Sequence, residues 1–208
     1  MIVNYESLKA KWSIKSEGII HIGAHHGEEL NTYLEDKDVK NIAFFEASSS
    51  AFEILKRNIE STQRPSRIIS LEAYPFAIGS EEKEADFFVA SNSQSSSVLK
   101  PKLHATQYPD IIFDKIERVK IKTLDSFNLI GYNYLTIDTQ GYELEVLKGA
   151  KNTLKSINWI YTEINSEFLY ENCGLVDDLD KYLIDFGFKR EETFWFAKNW
   201  GDALYIRK

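Results

Sequence analysis

The segment His21-Ile22-Gly23-Ala24-His25-His26-Gly27-Glu28 follows directly on a short apolar run. Gly23 lets the chain turn at a strand end, and Gly27 allows close approach where a helix begins. Backbone N–H groups at such a helix start face whatever fills the crevice. Alone, these residues also describe a plain glycine turn. Glu46 closes the next apolar run, nineteen residues beyond Gly27. An acid at that distance is placed to accept two hydrogen bonds from ribose hydroxyls, and its charge disfavours a 2′-phosphate there. Read blandly, it is a capping or surface glutamate. A third feature lies far downstream, Ile137-Asp138-Thr139-Gln140-Gly141-Tyr142-Glu143. Asp138 sits at a strand end, Gly141 permits a tight turn, and Glu143 in the first helical turn suits the helix dipole.

The elements that must position these residues follow from the apolar pattern. Runs at 19–22, 42–45, 68–73, 134–138 and 159–164 read as short buried strands. Residues 28–35, 50–60, 143–154 and 179–186 carry helical spacing, the last stopping at Gly187. The end of the chain, 188–193 and 203–206, reads as two strands around a turn with Asn199 and Gly201. Strand–helix alternation with short connections predicts a mainly parallel sheet covered on both faces. Ligands then bind at the carboxyl ends of the strands, just after Ile22, Phe45, Ala73, Ile137 and Ile164. Residues 86–89 and 119–122 alternate as extra strands, and they flank the Ser-rich stretch 91–97. The insert at 86–122, with Tyr108-Pro109, is expected to hang over the site as a lid; a disordered surface loop is the alternative.

The chain has 208 residues, 43% of them hydrophobic, with 25 Lys+Arg against 32 Asp+Glu for a net charge of −7. That balance suits an ordinary globular domain and argues against a general nucleic-acid binder, whose affinity rests on Lys and Arg. No apolar run reaches the ~20 residues of a membrane span, and the polar N-terminus has no secretory apolar region. The lone Cys173 excludes an internal disulfide or a Cys-based zinc cluster and fits a reducing compartment. The expectation is one cytoplasmic domain over 1–208.

Asp138-Thr139-Gln140-Gly141-Tyr142-Glu143-Leu144-Glu145-Val146-Leu147-Lys148-Gly149-Ala150 resembles the hallmark segment of FkbM-family methyltransferases. The resemblance extends through Ile20-His21-Ile22-Gly23-Ala24-His25-His26-Gly27, Phe45-Glu46-Ala47, Ala77-Ile78-Gly79, Ser95-Ser96-Ser97 and Thr123-Leu124-Asp125, covering roughly 18–165. It implies the class I methyltransferase fold, an α/β three-layer sandwich on a seven-stranded, mainly parallel sheet with an antiparallel last strand. It implies S-adenosyl-L-methionine as cofactor and O-methylation of a hydroxyl on a sugar or glycan, a deoxysugar among them. Carried over, Gly23, Ala24 and Gly27 line the methionine part, Glu46 holds the ribose, Ala77 and Ile78 lie near the adenine, and Asp138 lies beside the sulfonium. His21 stands where the family often has Asp, so it brings no permanent negative charge.

Methyl transfer needs acceptor oxygen, methyl carbon and sulfur held in line, and a sugar hydroxyl gains from a general base. The candidates are Asp138, Glu163, His25, His26 and His104, with Asp138 or a histidine favoured as base. Glu163 and Asn165 are expected to orient the acceptor; Gln140, Tyr142 and Ser96 join the acceptor site. His104 itself reads as a surface helix residue, and no metal is expected. Two other functions fit parts of the pattern. A nicotinamide-dependent oxidoreductase fits the glycine turn and distal acid but lacks the third glycine. A non-catalytic cofactor-binding module of a larger glycan-building polypeptide fits the short stretch before the first strand.

Overall fold

The computed structural model describes residues 3–208. Seven strands form the main sheet: β1 (Gly18–Ile22), β2 (Asn41–Phe45), β3 (Ser70–Tyr74), β7 (Tyr134–Ile137), β8 (Trp159–Asn165), β9 (Phe188–Trp195) and β10 (Trp200–Arg207), in the order β3-β2-β1-β7-β8-β10-β9. β10 alone runs against its neighbours, pairing antiparallel with both β8 and β9. The strands are apolar nearly without interruption because both faces are covered. Ile20, Ile22, Leu135, Ile137 and Ile160 meet α5 (Glu143–Lys148) and α6 (Val176–Ile184) on one face. The alternate residues Ile19, Ile42, Phe44 and Tyr134 meet α1 (Tyr5–Trp12), α2 (Leu30–Glu35) and α3 (Ser49–Ser61) on the other. The result is the class I methyltransferase sandwich.

A second sheet of three strands, β4 (Ala77–Ile78), β6 (Lys115–Lys122) and β5 (Lys83–Val89), stands beside the carboxyl edge of the first. Between β5 and β6 the chain carries the Ser-rich stretch and α4 (Leu103–Gln107). The stretch is not a loose loop: Ser97 exchanges backbone hydrogen bonds with Phe88, and its hydroxyl donates to the Gln140 carbonyl at 2.8 Å.

Several elements differ from the sequence pattern. The helix expected over 143–154 ends at Lys148, and a separate turn follows at Thr153–Lys155. Gly149 causes the break by packing on backbone: a Cβ there would stand 1.9 Å from the Gly79 carbonyl oxygen. Asp125 then caps the new turn, its carboxylate accepting from the backbone N–H of Asn152 and of Thr153. Helix α2 starts two residues later than its acidic start suggests, and β5, β6, β9 and β10 are longer than their alternating cores. Helix α1 lies in a stretch too polar to announce itself; only Tyr5 and Leu8 of its residues are buried.

Candidate active site

The two loops expected to converge do so at the carboxyl ends of β1, β2 and β7. Gly23 N–H and Ala24 N–H both donate to the Phe45 carbonyl, and Asp138 N–H donates to the Ile22 carbonyl at 2.9 Å. Gly23 has φ +78°, and a Cβ on it would stand 1.8 Å from the Asp138 carbonyl oxygen. No other residue fits where these loops cross. His25 also adopts the left-handed region, φ 48°, and this turns its N–H onto Glu46 Oε2 at 2.7 Å. Ser48 N–H reaches Glu46 Oε1, also at 2.7 Å. Burial pushes the Glu46 carboxyl up, opposed by those two backbone donors. The carboxylate is therefore held in place by backbone rather than by a cation.

The second loop is held in the same manner. Gln140, again left-handed at φ 55°, donates its amide N–H groups to Asp138 Oδ1 at 2.8 Å and to Glu163 Oε2 at 2.6 Å. Glu143 Oε1 gathers the N–H of Thr139, the Thr139 hydroxyl and the N–H of Gly141. Burial pushes Glu143 up to about 7. Burial also pushes Glu163 far above the usual carboxylate range, helped by the negative charges of Asp138, Glu143 and Asp202. Burial thus biases Glu163 toward its neutral form, while its oxygens accept from the Gln140 and Asn165 amides.

Both loops open on a cavity of about 470 Å³. Of the residues singled out in the sequence, His21, Gly23, Ala24, His25, Glu46, Ala77, Ile78, Ser96, Asp138, Gln140, Tyr142 and Glu163 line it. Gly27 and Asn165 do not. Gly27 faces α3, where a Cβ would meet Leu55 Cδ1 at 2.6 Å, so its role is packing. Asn165 is wholly buried, its amide 3.4 Å from Glu163 Oε1. His21 sits against Tyr33 and Phe44, within 3.2 Å of the Tyr33 hydroxyl, and burial lowers its pKa. His25 is occupied at both ring nitrogens, by Glu28 at 2.7 Å and by Ser93 at 2.8 Å. Burial opposes its charged form, but the bond to Glu28 prevails and raises its pKa. Its ring stacks on His26, and ligand atoms of His25, His26 and Glu28 lie within 4.8 Å of one another, close enough to hold a metal ion.

His104 is the largest departure from the sequence reading. It is not on the surface but 5% exposed, and it lines the cavity with Tyr108, Leu169 and Trp200. The indole N–H of Trp200 donates to the Tyr108 hydroxyl at 2.9 Å, tying the start of β10 to the insert. Tyr108, expected in the lid, does line the cavity; Trp200, which also lines it, and Tyr170, whose hydroxyl lies 3.1 Å from Gln140 Oε1, carry no signal in the sequence pattern.

Residues 21–190 match the family described as the Methyltransferase FkbM domain. The chain belongs to this FkbM family. A 2-O-methyltransferase, NoeI, from Sinorhizobium fredii (strain NBRC 101917 / NGR234) is 26% identical over 164 residues, which is 74% of this chain and 65% of that protein. The matched region thus spans just under two thirds of the curated relative. The crystal structure of the FkbM methyltransferase from Methylobacillus flagellatus KT superposes with a TM-score of 0.58 at 16% identity, over 92% of this chain and 44% of the other. Magnesium protoporphyrin IX methyltransferase from Synechocystis PCC 6803, solved with bound S-adenosylmethionine, gives 0.53 at 10% identity, over 98% of this chain and 76% of that one. These likenesses show the class I methyltransferase fold.

The FkbM chain's own donor set suits that cofactor. The cavity has the size range of small-molecule sites. One of its ends offers a cradle that any Cβ at Gly23 would fill, a buried carboxylate at Glu46 with lone pairs beyond those its two N–H donors use, and the apolar pair Ala77 and Ile78.

Proposed function

We propose that the chain is an S-adenosylmethionine-dependent O-methyltransferase acting on a hydroxyl of a sugar or glycan, with residues 1–208 as one catalytic unit. The convergence of the Gly23 and Asp138 loops on one cavity carries this reading. Membership of the FkbM family supports the methyl transfer, and the relative described as a 2-O-methyltransferase supports oxygen as acceptor.

When bound, the cofactor supplies an electrophilic methyl group on a positively charged sulfur. The chain's part is to bind and to orient. Gly23 and Ala24 give the methionine moiety an uncluttered backbone wall. Glu46, immobilised by His25 and Ser48, accepts from the ribose hydroxyls. Ala77 and Ile78 form the flat apolar wall for the adenine. Asp138, fixed by Gln140, puts negative charge beside the sulfonium. Glu163, pushed toward its neutral form by burial, helps hold Gln140 and with it the floor on which an acceptor rests. Ser96, Tyr142, Tyr108 and Trp200 offer the mix of hydroxyls and aromatic faces that suits a sugar. No helix among the described residues is long and apolar enough to cross a membrane.

Isothermal titration with S-adenosylhomocysteine and with NAD tests the cofactor. Incubation of mono- and oligosaccharides with labelled methyl donor tests the acceptor. Binding of the first nucleoside and not the second, with label in a saccharide, is the expected result. Binding of NAD alone would remove the methyltransferase reading; label only in non-carbohydrate hydroxyl compounds would remove the sugar.

A further inference from the structure

The cavity wall formed with the insert holds a further titratable side chain, His104. His104 is packed between three rings, Tyr108, Phe113 and Tyr170, at centroid distances of 5.0, 5.4 and 5.3 Å. Its Nδ1 is buried and has no hydrogen-bond partner among the described residues. An orphaned polar atom in a protein interior calls for a reason, since leaving it unpaired forfeits its solvation. That atom is closed off from the cavity, so the ring meets the cavity through its other nitrogen, Nε2, while Nδ1 keeps the ring proton.

The surroundings connect His104 to the Gln140 loop. The Tyr170 hydroxyl lies 2.8 Å from the Ser95 carbonyl oxygen and 3.1 Å from Gln140 Oε1, and the same Gln140 amide spans Asp138 and Glu163. Tyr108 and Tyr170 are the titratable groups packed directly against the imidazole; Cys173 lies beside Tyr170. Burial raises the Tyr170 hydroxyl and the Cys173 thiol, and burial lowers the imidazole's pKa. A neutral imidazole keeps one nitrogen lone pair for a proton.

The other candidates are occupied. Both ring nitrogens of His25 are bonded. Burial pushes Glu163 toward its neutral form and it already accepts from Gln140, and Glu46 is fixed by two backbone N–H groups. Asp138 is committed to Gln140.

We propose that His104 is the general base that takes the proton from the acceptor hydroxyl, a role that rests on the methyltransferase function proposed above. The acceptor O–H bond breaks and its proton passes to the lone pair of His104 Nε2. The oxygen forms its bond to the methyl carbon while the carbon–sulfur bond breaks, its electron pair staying on sulfur. The imidazolium then gives its proton to solvent. Tyr170 and Phe113 hold the ring; Trp200 and Tyr108 flank the acceptor.

The test uses the whole chain, S-adenosylhomocysteine, and methyl glycosides as acceptor probes. His104→Gln retains a hydrogen-bonding side chain that takes no proton. It should bind S-adenosylhomocysteine like the unaltered protein, lose about a hundredfold or more in kcat with KM little changed, and lose the acidic limb of the pH–rate profile. His104→Asn serves as a second variant if the first fails to fold. Nuclear magnetic resonance of the imidazole nitrogens, assigned by difference with the variant, supplies a readout without turnover. His104 should be neutral at pH 7, and its signals should move when a glycoside saturates the S-adenosylhomocysteine complex. Undiminished turnover in the variant, a surviving acidic limb, or His104 signals unmoved by every glycoside would each overturn the assignment. Failure of the unaltered protein to bind S-adenosylhomocysteine would instead strike at the methyltransferase reading.

Discussion

At the end of the cavity beneath β1 and β7 the wall is mostly backbone: Gly23 against the Asp138 carbonyl, and N–H groups of His25 and Ser48 closing on Glu46. At the far end the wall is side chain: Ser96, His104, Tyr108 and Trp200, drawn from the insert and from the start of β10. A backbone wall is fixed by chain geometry and accepts almost no substitution at its crossing points. A side-chain wall can be rewritten residue by residue without moving a strand. The first arrangement suits a ligand shared across a family, the second a ligand that differs between its members.

The contrast is sharpest at Gly23. Gly23→Ala would place a methyl group inside the Asp138 carbonyl and strain a left-handed backbone. It should cost about 3 kcal/mol of stability or more and abolish S-adenosylhomocysteine binding, read by urea unfolding and by titration. Unchanged affinity would mean that the crossing of the loops does not shape the nucleoside end. Glu46→Ala comes next. It should weaken S-adenosylhomocysteine by about 1.5–3 kcal/mol, roughly 10- to 100-fold, and it strands two buried N–H groups besides. Full affinity in titration would remove Glu46 from the ribose.

Glu143 probes the loop rather than the ligand. Its folded pKa of about 7 lies above the unfolded value, so the folded state holds a proton that the unfolded chain has already lost. Stability from this group is complete below the unfolded pKa and declines as pH rises toward 7. Glu143→Gln keeps the acceptor oxygen for Thr139 and Gly141 but removes the titration. Urea unfolding at pH 5 and pH 8 should show the variant gaining on the unaltered protein by about 1–2 kcal/mol at the higher pH. The smallest effect is expected at the insert. Ser97→Ala loses the bonds to the Gln140 carbonyl and from Leu99 N–H, for about 1 kcal/mol in unfolding, with S-adenosylhomocysteine affinity retained. A matching loss of affinity would show that the two ends are not independent.

The backbone end was legible in the sequence because its requirements are local. A glycine that must turn, an acid at a strand end and an apolar run buried on both faces are all visible within a few residues. The same local view misjudged Gly27, whose glycine serves contact with Leu55 on α3 rather than the cavity. It carried the helix past Gly149, where the cause of the stop is Gly79, seventy residues away. His104 stood among the candidate bases, but its burial was illegible for the opposite reason. Lys102, Thr106 and Gln107 give its helix a solvent-facing composition, yet Phe113 and Tyr170 bury it from outside that helix. Asn165 was placed correctly at a strand end but is covered there. Spacing reports which end of a strand a residue occupies, not what the following loop lays over it.

The reversed direction of β10 sets the routes by which such a protein can diversify. The parallel strands bring their last residues to the carboxyl edge, but β10 brings its first, Trp200 and Asp202. The short turn from β9 therefore lies at the carboxyl edge, while the crossover helices cover the two faces of the sheet. Lengthening or recolouring that hairpin tip would redraw one doorway of the chamber and leave the socket at the other end untouched.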